Sequence, residues 1–316
     1  MPARTGRHDG TVPAPIAELP DTLVLGAGGT LGEAWVRGLL SGLESVSGLD
    51  FRRCEYVVGT SAGSIVAAAL AGGRRPEAGN RAGREWGAPA APEAAGALRR
   101  LGGAAARVGA AAASPLAPVA LGGLEPAGRL ARAAALATAP RPQRGLEGLG
   151  HQLRQLGTRF DGRLRVTAVD RRSGRRVVFG APGAPGASVA DAVLASCAVP
   201  WLFAPVEIGG REYVDGGVWS PTNLDAAPGG RGARVYCLAP TAGPPSARSM
   251  AGALRAFTAT ALAAEELALR ARGMRVRTIV PNAASVEAMG GDLMAGTATE
   301  QVLDAAFAQG RALATA

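Results

Sequence analysis

Among 316 residues there is no lysine; all 34 basic residues are arginine, against 25 acidic ones. A net charge of +9 would ordinarily suggest nucleic acid or an anionic membrane as a partner. An Arg-only chain heavy in Ala, Gly and Pro, however, carries the mark of GC-biased codon usage, which weakens that argument. Aromatic residues are scarce, at 4%, too few for the stacking platforms that hold single-stranded nucleic acid, and no nucleic-acid partner is expected. The three cysteines, Cys54, Cys197 and Cys237, are an odd number without metal-ligand spacing. That argues against disulfides and zinc, and for reduced thiols in a cytoplasmic setting. The N-terminal stretch has no apolar core of signal-peptide length, and no run approaches the roughly 18 apolar residues of a membrane span. The expectation is a cytoplasmic chain that meets a membrane, if at all, peripherally at an anionic surface. Histidine is nearly missing as well: only His8 and His151 occur, which bears on the chemistry below.

What is present is enough apolar residue, 47%, to fill the core of one large α/β domain. Residues 1–20 read as a flexible tail. The strand Thr22-Leu23-Val24-Leu25 then runs into a glycine-rich loop, Gly26-Ala27-Gly28-Gly29-Thr30-Leu31-Gly32. In the next stretch Trp35, Leu39, Leu43 and Val46 recur at helical spacing. A second strand, Glu55 to Val58, leads into Gly59-Thr60-Ser61-Ala62-Gly63 and an Ala-rich helix. This alternation predicts a wound, mainly parallel central sheet flanked by helices in three layers. Residues 72–157, rich in Ala, Gly, Arg and Pro, read as a helical cap or insertion within a domain covering 21–316. Beyond them the pattern predicts a hairpin of 163–169 with 176–179 and a capped helix from Ser188. A short strand at Tyr213-Val214, a strand at 234–238, a long helix at about 249–272, a strand at 276–280 and a final helix follow.

GxSxG between a strand and a helix is the sequence form of a nucleophile elbow, with Ser61 at its apex and small residues Gly59 and Gly63 beside it. The base for such a serine is usually histidine. Yet His8 lies in the expected tail, and His151 precedes every favoured carboxylate, the wrong chain order for a Ser-acid-His triad. The remaining base is a carboxylate. Asp215 stands at a strand end before Gly216 and Gly217, which allow close approach of a substrate, although an isolated Asp-Gly more often pins a turn. Asp225 and Asp170 are the fallback bases. Backbone N–H groups of Gly28, Gly29 and Thr30, with that of Ala62, can form an oxyanion hole. Two rival readings of the glycine loop fail: GxGxxG misses by one residue in either register, and a P-loop lacks its GK[ST]. Cys197 reads as a small core residue, and Trp35, Trp86, Trp201 and Trp219 as core or rim packing, with the edge of an acyl pocket as an alternative for Trp201 and Phe203, which follow a Pro in a loop.

Together GAGGTLG (Gly26 to Gly32), GTSAG, DGG and the linking ASCAVPWLFAPVEIGGREYVDGGVWSPTNLD resemble the patatin-like phospholipase family from Leu23 to about Leu224. The resemblance implies a lipid acyl hydrolase with a Ser-Asp dyad. Ser61 would be the nucleophile, Asp215 the base and the glycine loop the oxyanion hole, with no metal or organic cofactor. It implies a lipid or acyl-ester substrate of the phospholipase A or esterase type. The chain departs from the family loop at Ala27, in place of a glycine, and at Leu31, where a basic residue is usual. A catalytically silent module of the same fold, binding lipid or a protein partner, is the alternative.

Overall fold

The strands that organise the molecule are short apolar runs ended by glycine or small residues. The computed structural model describes residues 14–76, 125–243 and 250–315. Within the expected tail, Ile16 is fully buried and its N–H donates to the Leu313 carbonyl at 2.8 Å, so the packed chain begins before the first strand. Residues 1–13, and 77–124 of the expected cap, lie outside the described residues.

Strand β1 (Thr22–Leu25) pairs in parallel with β2 (Tyr56–Thr60) on one side and β7 (Arg234–Leu238) on the other, and β7 pairs in parallel with β8 (Arg275–Ile279). Three strands run antiparallel to their neighbours: β4 (Arg176–Phe179), β5 (Val206–Ile208) and β6 (Arg211–Asp215). β5 was not expected from sequence; the Gly209-Gly210 turn, with φ of 58° and 74°, folds it back on β6 as a tight hairpin.

The register around β3 (Leu164–Asp170) matters most. β3 pairs with β2 through Leu164 to Thr167 and with β4 through Val166 to Val169, so these two flank it on opposite edges. Its pairs with β6 begin at Ala168, opposite Asp215, while Ala168 also faces Val177 of β4. β6 therefore continues the edge that β2 occupies, and the carboxyl end of β2 abuts the carboxyl end of β6. Two strands more than 150 residues apart meet end to end along a third.

Because side chains alternate across a strand, each face of the sheet has its own core. Leu23, Leu25, Val57, Val166 and Ala168 meet helices α1 (Gly29–Ser47), α2 (Ala62–Ala71), α5 (Val189–Cys197) and α8 (Thr299–Thr315). Val24, Val58, Val235 and Cys237 meet Leu262 and Leu269 of α6 (Met250–Ala271). The described remainder of the cap stretch holds α3 (Glu125–Thr138) and α4 (Glu147–Leu156), with Leu136 of α3 packed on Val169 and Val214. The long helix and last strand fall within a residue or two of their expected bounds. A short helix α7 (Ala283–Met289), capped by Asn282 at 2.9 Å to the Ser285 N–H, was not foreseen. Three layers result, with helices on both faces of a mainly parallel sheet.

Candidate active site

Ser61 leaves β2 in a conformation few side chains tolerate, with φ of 51° and ψ of −124°, and is the N-cap of α2. Such backbone strain costs on the order of 1–3 kcal/mol and persists only where the surroundings enforce it. Those surroundings are visible. A Cβ on Gly63 would stand 2.1 Å from the Leu25 carbonyl oxygen, and one on Gly59 2.4 Å from the Ser64 Cα. Only glycine lets the first turn of α2 press so closely on β1 and on the strand before it. The Ser61 carbonyl is held by the Ser64 hydroxyl at 2.6 Å and the Ser64 N–H at 2.8 Å, and the Ser61 N–H donates to the Ser196 hydroxyl at 2.8 Å.

Asp215 ends β6 and is buried, 4% exposed. Its Oδ1 accepts from the Gly217 N–H at 2.6 Å, and the Ser61 hydroxyl lies near enough to favour its charged form. Burial pushes its pKa up to about 6, against the opposing pull of those two donors. A carboxyl in this range is a far better proton acceptor near neutrality than an ordinary aspartate. The register explains the meeting: Thr60 lies opposite Thr167 and Asp215 opposite Ala168, so the nucleophile candidate and the carboxylate flank the junction of the two strand ends.

The glycine loop supplies unpaired donors beside them. In a helix starting at Gly29, the N–H groups of Gly29, Thr30 and Leu31 have no partner within the helix. Leu31 is satisfied by the Leu293 carbonyl at 3.0 Å, and Ala27 by the Pro221 carbonyl at 2.7 Å. Among the described residues no backbone acceptor takes the N–H of Gly28, Gly29 or Thr30, nor that of Ala62 at the start of α2. Gly29 has a φ of 60° and packs on Met294, Gly26 is fixed through its N–H to the Leu238 carbonyl, and the Gly32 N–H closes the first turn on the Gly28 carbonyl. A Cβ on Gly217 would lie 3.7 Å from the Ala27 Cβ, so the DGG segment and the glycine loop face each other. Gly216 passes so close to Thr167 that a Cβ there would be 2.5 Å from its hydroxyl oxygen.

The other expected candidates are engaged elsewhere. Asp170 accepts from the N–H and hydroxyl of Ser173 and from Arg211; burial would raise its pKa, but these bonds outweigh it and the value falls. Asp225 grips Arg176 with both oxygens, at 2.5 and 2.8 Å. His151 sits exposed on α4 against Gln155, and His8 lies outside the described residues. Cys197 is buried, and burial followed by the nearby Asp215 charge drives its thiol pKa well upward, so it is no thiolate. Trp201 adopts a φ of 70° in the loop after α5, a strained conformation for so bulky a side chain, and Phe203 beside it is buried. A polar cavity of about 550 Å³ lies at the opposite end of the sheet, lined by Asp21, Glu55, Tyr56 and residues 229–233, remote from Ser61.

Sequence reasoning missed three contributors. Ser196 holds the elbow, while the adjoining Ala198 carbonyl accepts the Asp215 N–H at 3.0 Å, so one helix end braces both groups. Asn223, at φ 47°, donates through Nδ2 to the Thr60 hydroxyl and the Gly216 carbonyl, each at 3.2 Å, and to the Ser220 carbonyl at 2.6 Å. Glu265 of α6 fixes that loop by accepting from the Thr222 hydroxyl at 2.5 Å and the Leu224 N–H at 2.9 Å. The ASCAVP and TNLD stretches contained the first two, but nothing local indicated what they would touch.

Among the described residues no group of three His, Cys, Asp or Glu side chains converges to hold a metal, and no helix is long and apolar enough to cross a membrane. No curated protein matches the chain. Among solved structures, VipD from Legionella pneumophila is similar at 16% identity, with 94% of this chain and 67% of that one covered and a TM-score of 0.43. A family model for patatin-like phospholipase matches residues 23–228, from β1 through the glycine loop, the elbow and the DGG segment. With more than half its length so matched, this chain belongs to the patatin-like phospholipase family of lipid acyl hydrolases.

Proposed function

We propose that this protein cleaves an acyl ester of a lipid through a Ser61 acyl-enzyme, with Asp215 as the base. The observation that carries the reading is the meeting of the strained elbow of Ser61 with the buried Asp215 carboxylate at the junction of two strand ends on one edge of β3, where burial raises the carboxyl pKa to about 6. Asp215 takes the Ser61 proton as Oγ attacks the ester carbonyl. The oxyanion of the tetrahedral intermediate is met by the N–H groups of Gly28, Gly29, Thr30 and Ala62, a contribution of roughly 3–4 kcal/mol per well-placed donor. Collapse releases the alcohol, which leaves with the proton from Asp215. Water then attacks the acyl-enzyme with Asp215 again as base, freeing the fatty acid and Ser61. The acyl chain runs along the apolar edge formed by Trp201 and Phe203. An Arg-rich surface of net charge +9 favours a substrate presented at an anionic membrane.

Labelling of the intact protein with a fluorophosphonate, read by mass, tests this. A single adduct that disappears in Ser61→Ala, together with ester turnover lost by about three or more orders of magnitude, is the expected result. Turnover retained in a folded Ser61→Ala would sink it. A folded wild type that neither labels nor turns over any acyl ester would favour the silent lipid-binding module instead.

A further inference from the structure

A guanidinium cannot shed its charge, so burying one without partners is costly, and buried arginines are normally saturated with acceptors. Two other buried arginines follow that rule. Arg165 donates to the carbonyls of Leu164 and Gly180, and Arg171 to Glu212 and the Ala139 carbonyl. Arg255, on α6, does not. It is 4% exposed, its Nε and Nη1 find no acceptor, and among the described residues no carboxylate pairs with it.

Its position is informative. A Cβ on Gly243 would come to 3.6 Å from Arg255 Nη1 and 3.3 Å from the Pro281 carbonyl oxygen. The guanidinium thus lies where the chain leaves β7 and β8, at the carboxyl ends of two parallel strands, the edge at which open α/β sheets bind ligands. Thr241, on the same loop, accepts from the Thr258 hydroxyl at 3.2 Å and retains its own proton to donate. The preceding Pro240 packs on the glycine loop: Cβ atoms on Gly28 and Gly32 would meet it at 2.8 and 3.2 Å. The glycine loop itself, with Leu31, carries no cation. Arg255 is a buried positive charge one strand away from it.

We propose that Arg255 anchors a phosphate-binding subsite at the carboxyl ends of β7 and β8, adjoining the glycine loop. Its Nε and Nη1 with the Thr241 hydroxyl suit a tetrahedral anion with several acceptor oxygens, where a planar carboxylate would use only two. The phosphate belongs either to a lipid headgroup, an assignment that rests on the hydrolase reading above, or to free inorganic phosphate, which does not.

The test uses thermal unfolding of the full chain in inorganic phosphate against chloride of equal ionic strength. Wild type is expected to gain about 5 °C at saturating phosphate. Arg255→Gln and Arg255→Met are expected to fold in chloride at least as stably as wild type, because each removes an unpaired buried charge, and to gain nothing from phosphate. An equal gain in the variants, no gain in wild type, or variants that are destabilised in chloride would overturn the subsite. A second arm distinguishes the sources by comparing kcat/KM for a lysophosphatidic acid with that for a neutral p-nitrophenyl ester. A fall of tenfold or more in this ratio in Arg255→Gln supports the headgroup. An unchanged ratio with the phosphate-dependent stabilisation intact in wild type assigns the site to the free anion and overturns the headgroup. Because the thermal arm needs no turnover, failure of the hydrolase reading leaves it interpretable.

Discussion

Two buried carboxylates, on opposite faces of one sheet, have been given different work. Asp215 and Glu265 are 4% and 5% exposed, and burial is the first cause of a raised pKa in both. The rise is opposed by the Ser61 hydroxyl and the Gly217 N–H for Asp215, and by the Ser220 and Thr222 hydroxyls and the Leu224 N–H for Glu265. They differ in what the hydroxyl belongs to. Thr222 sits in a loop whose bonds Glu265 completes, whereas Ser61 stands on a strained elbow beside unpaired N–H groups. Burial alone therefore does not single out a base; what marks Asp215 as the proposed one is its partner. The two are also linked, since Asn223, framed by the Glu265 bonds, reaches the residue before Ser61 and the residue after Asp215.

The sharpest way to break this contrast is Asp215→Asn. Turnover should fall by about three or more orders of magnitude, while in wild type kcat/KM should rise with pH through an apparent pKa near 6 as the base loses its proton. Stability should move the other way. A carboxylate with a folded value near 6 and an unfolded one near 3.9 penalises the fold by roughly 3 kcal/mol above pH 6, and the penalty fades as pH falls toward 4. Chemical denaturation should thus show Asp215→Asn more stable than wild type at pH 8 and level with it at pH 4. Lower stability of the variant at pH 8 would contradict a raised Asp215.

Ala168 comes next. It lies directly opposite Asp215, its side chain on the same face, with Cβ atoms of such pairs about 5 Å apart. Ala168→Leu should push the carboxylate from Ser61 and lower kcat about 100-fold, with fluorophosphonate labelling slowed in parallel; an unaffected labelling rate would show that the pair tolerates displacement. Ser196→Ala leaves the Ser61 N–H buried and unpaired, costing about 1–3 kcal/mol of stability. It should reduce kcat roughly tenfold with KM little changed, and Ser196→Thr should recover part of the loss. A change in stability without one in kcat would reduce Ser196 to packing. The smallest effect belongs to Glu265→Gln, which can still accept both bonds. Its kcat should stay within about threefold, and it should be more stable than wild type at pH 8, with the gap closing as Glu265 itself protonates on acidification. A collapse of activity equal to that of Asp215→Asn would erase the distinction between the two carboxylates.

Much of the site was legible because its parts are local. The elbow, the glycine loop and DGG are each a strand followed by small residues, and steric rules on a few neighbouring residues suffice to recognise them. Strand and helix existence followed from periodicity in the same way. The cap stretch was less legible, being low in β-branched residues and weakly periodic. β5 and α7 were missed because three- and seven-residue elements leave little pattern.

The sequence by itself determined that this is a wound α/β chain with an elbow serine, a carboxylate at a strand end, and no histidine in triad order. Only the tertiary structure decided that β2 and β6 share one edge of β3, placing Ser61 beside Asp215. It alone set Ser196 under the elbow, Glu265 behind the Asn223 loop, Leu293 on the Leu31 N–H, and the Arg255 Nε and Nη1 with no acceptor among the described residues. The physical reason is separation along the chain: Ser61 and Ser196 are 135 positions apart and Thr60 and Asn223 are 163 apart. Propensity and periodicity act over a few residues, whereas strand pairing and burial are settled by the whole fold.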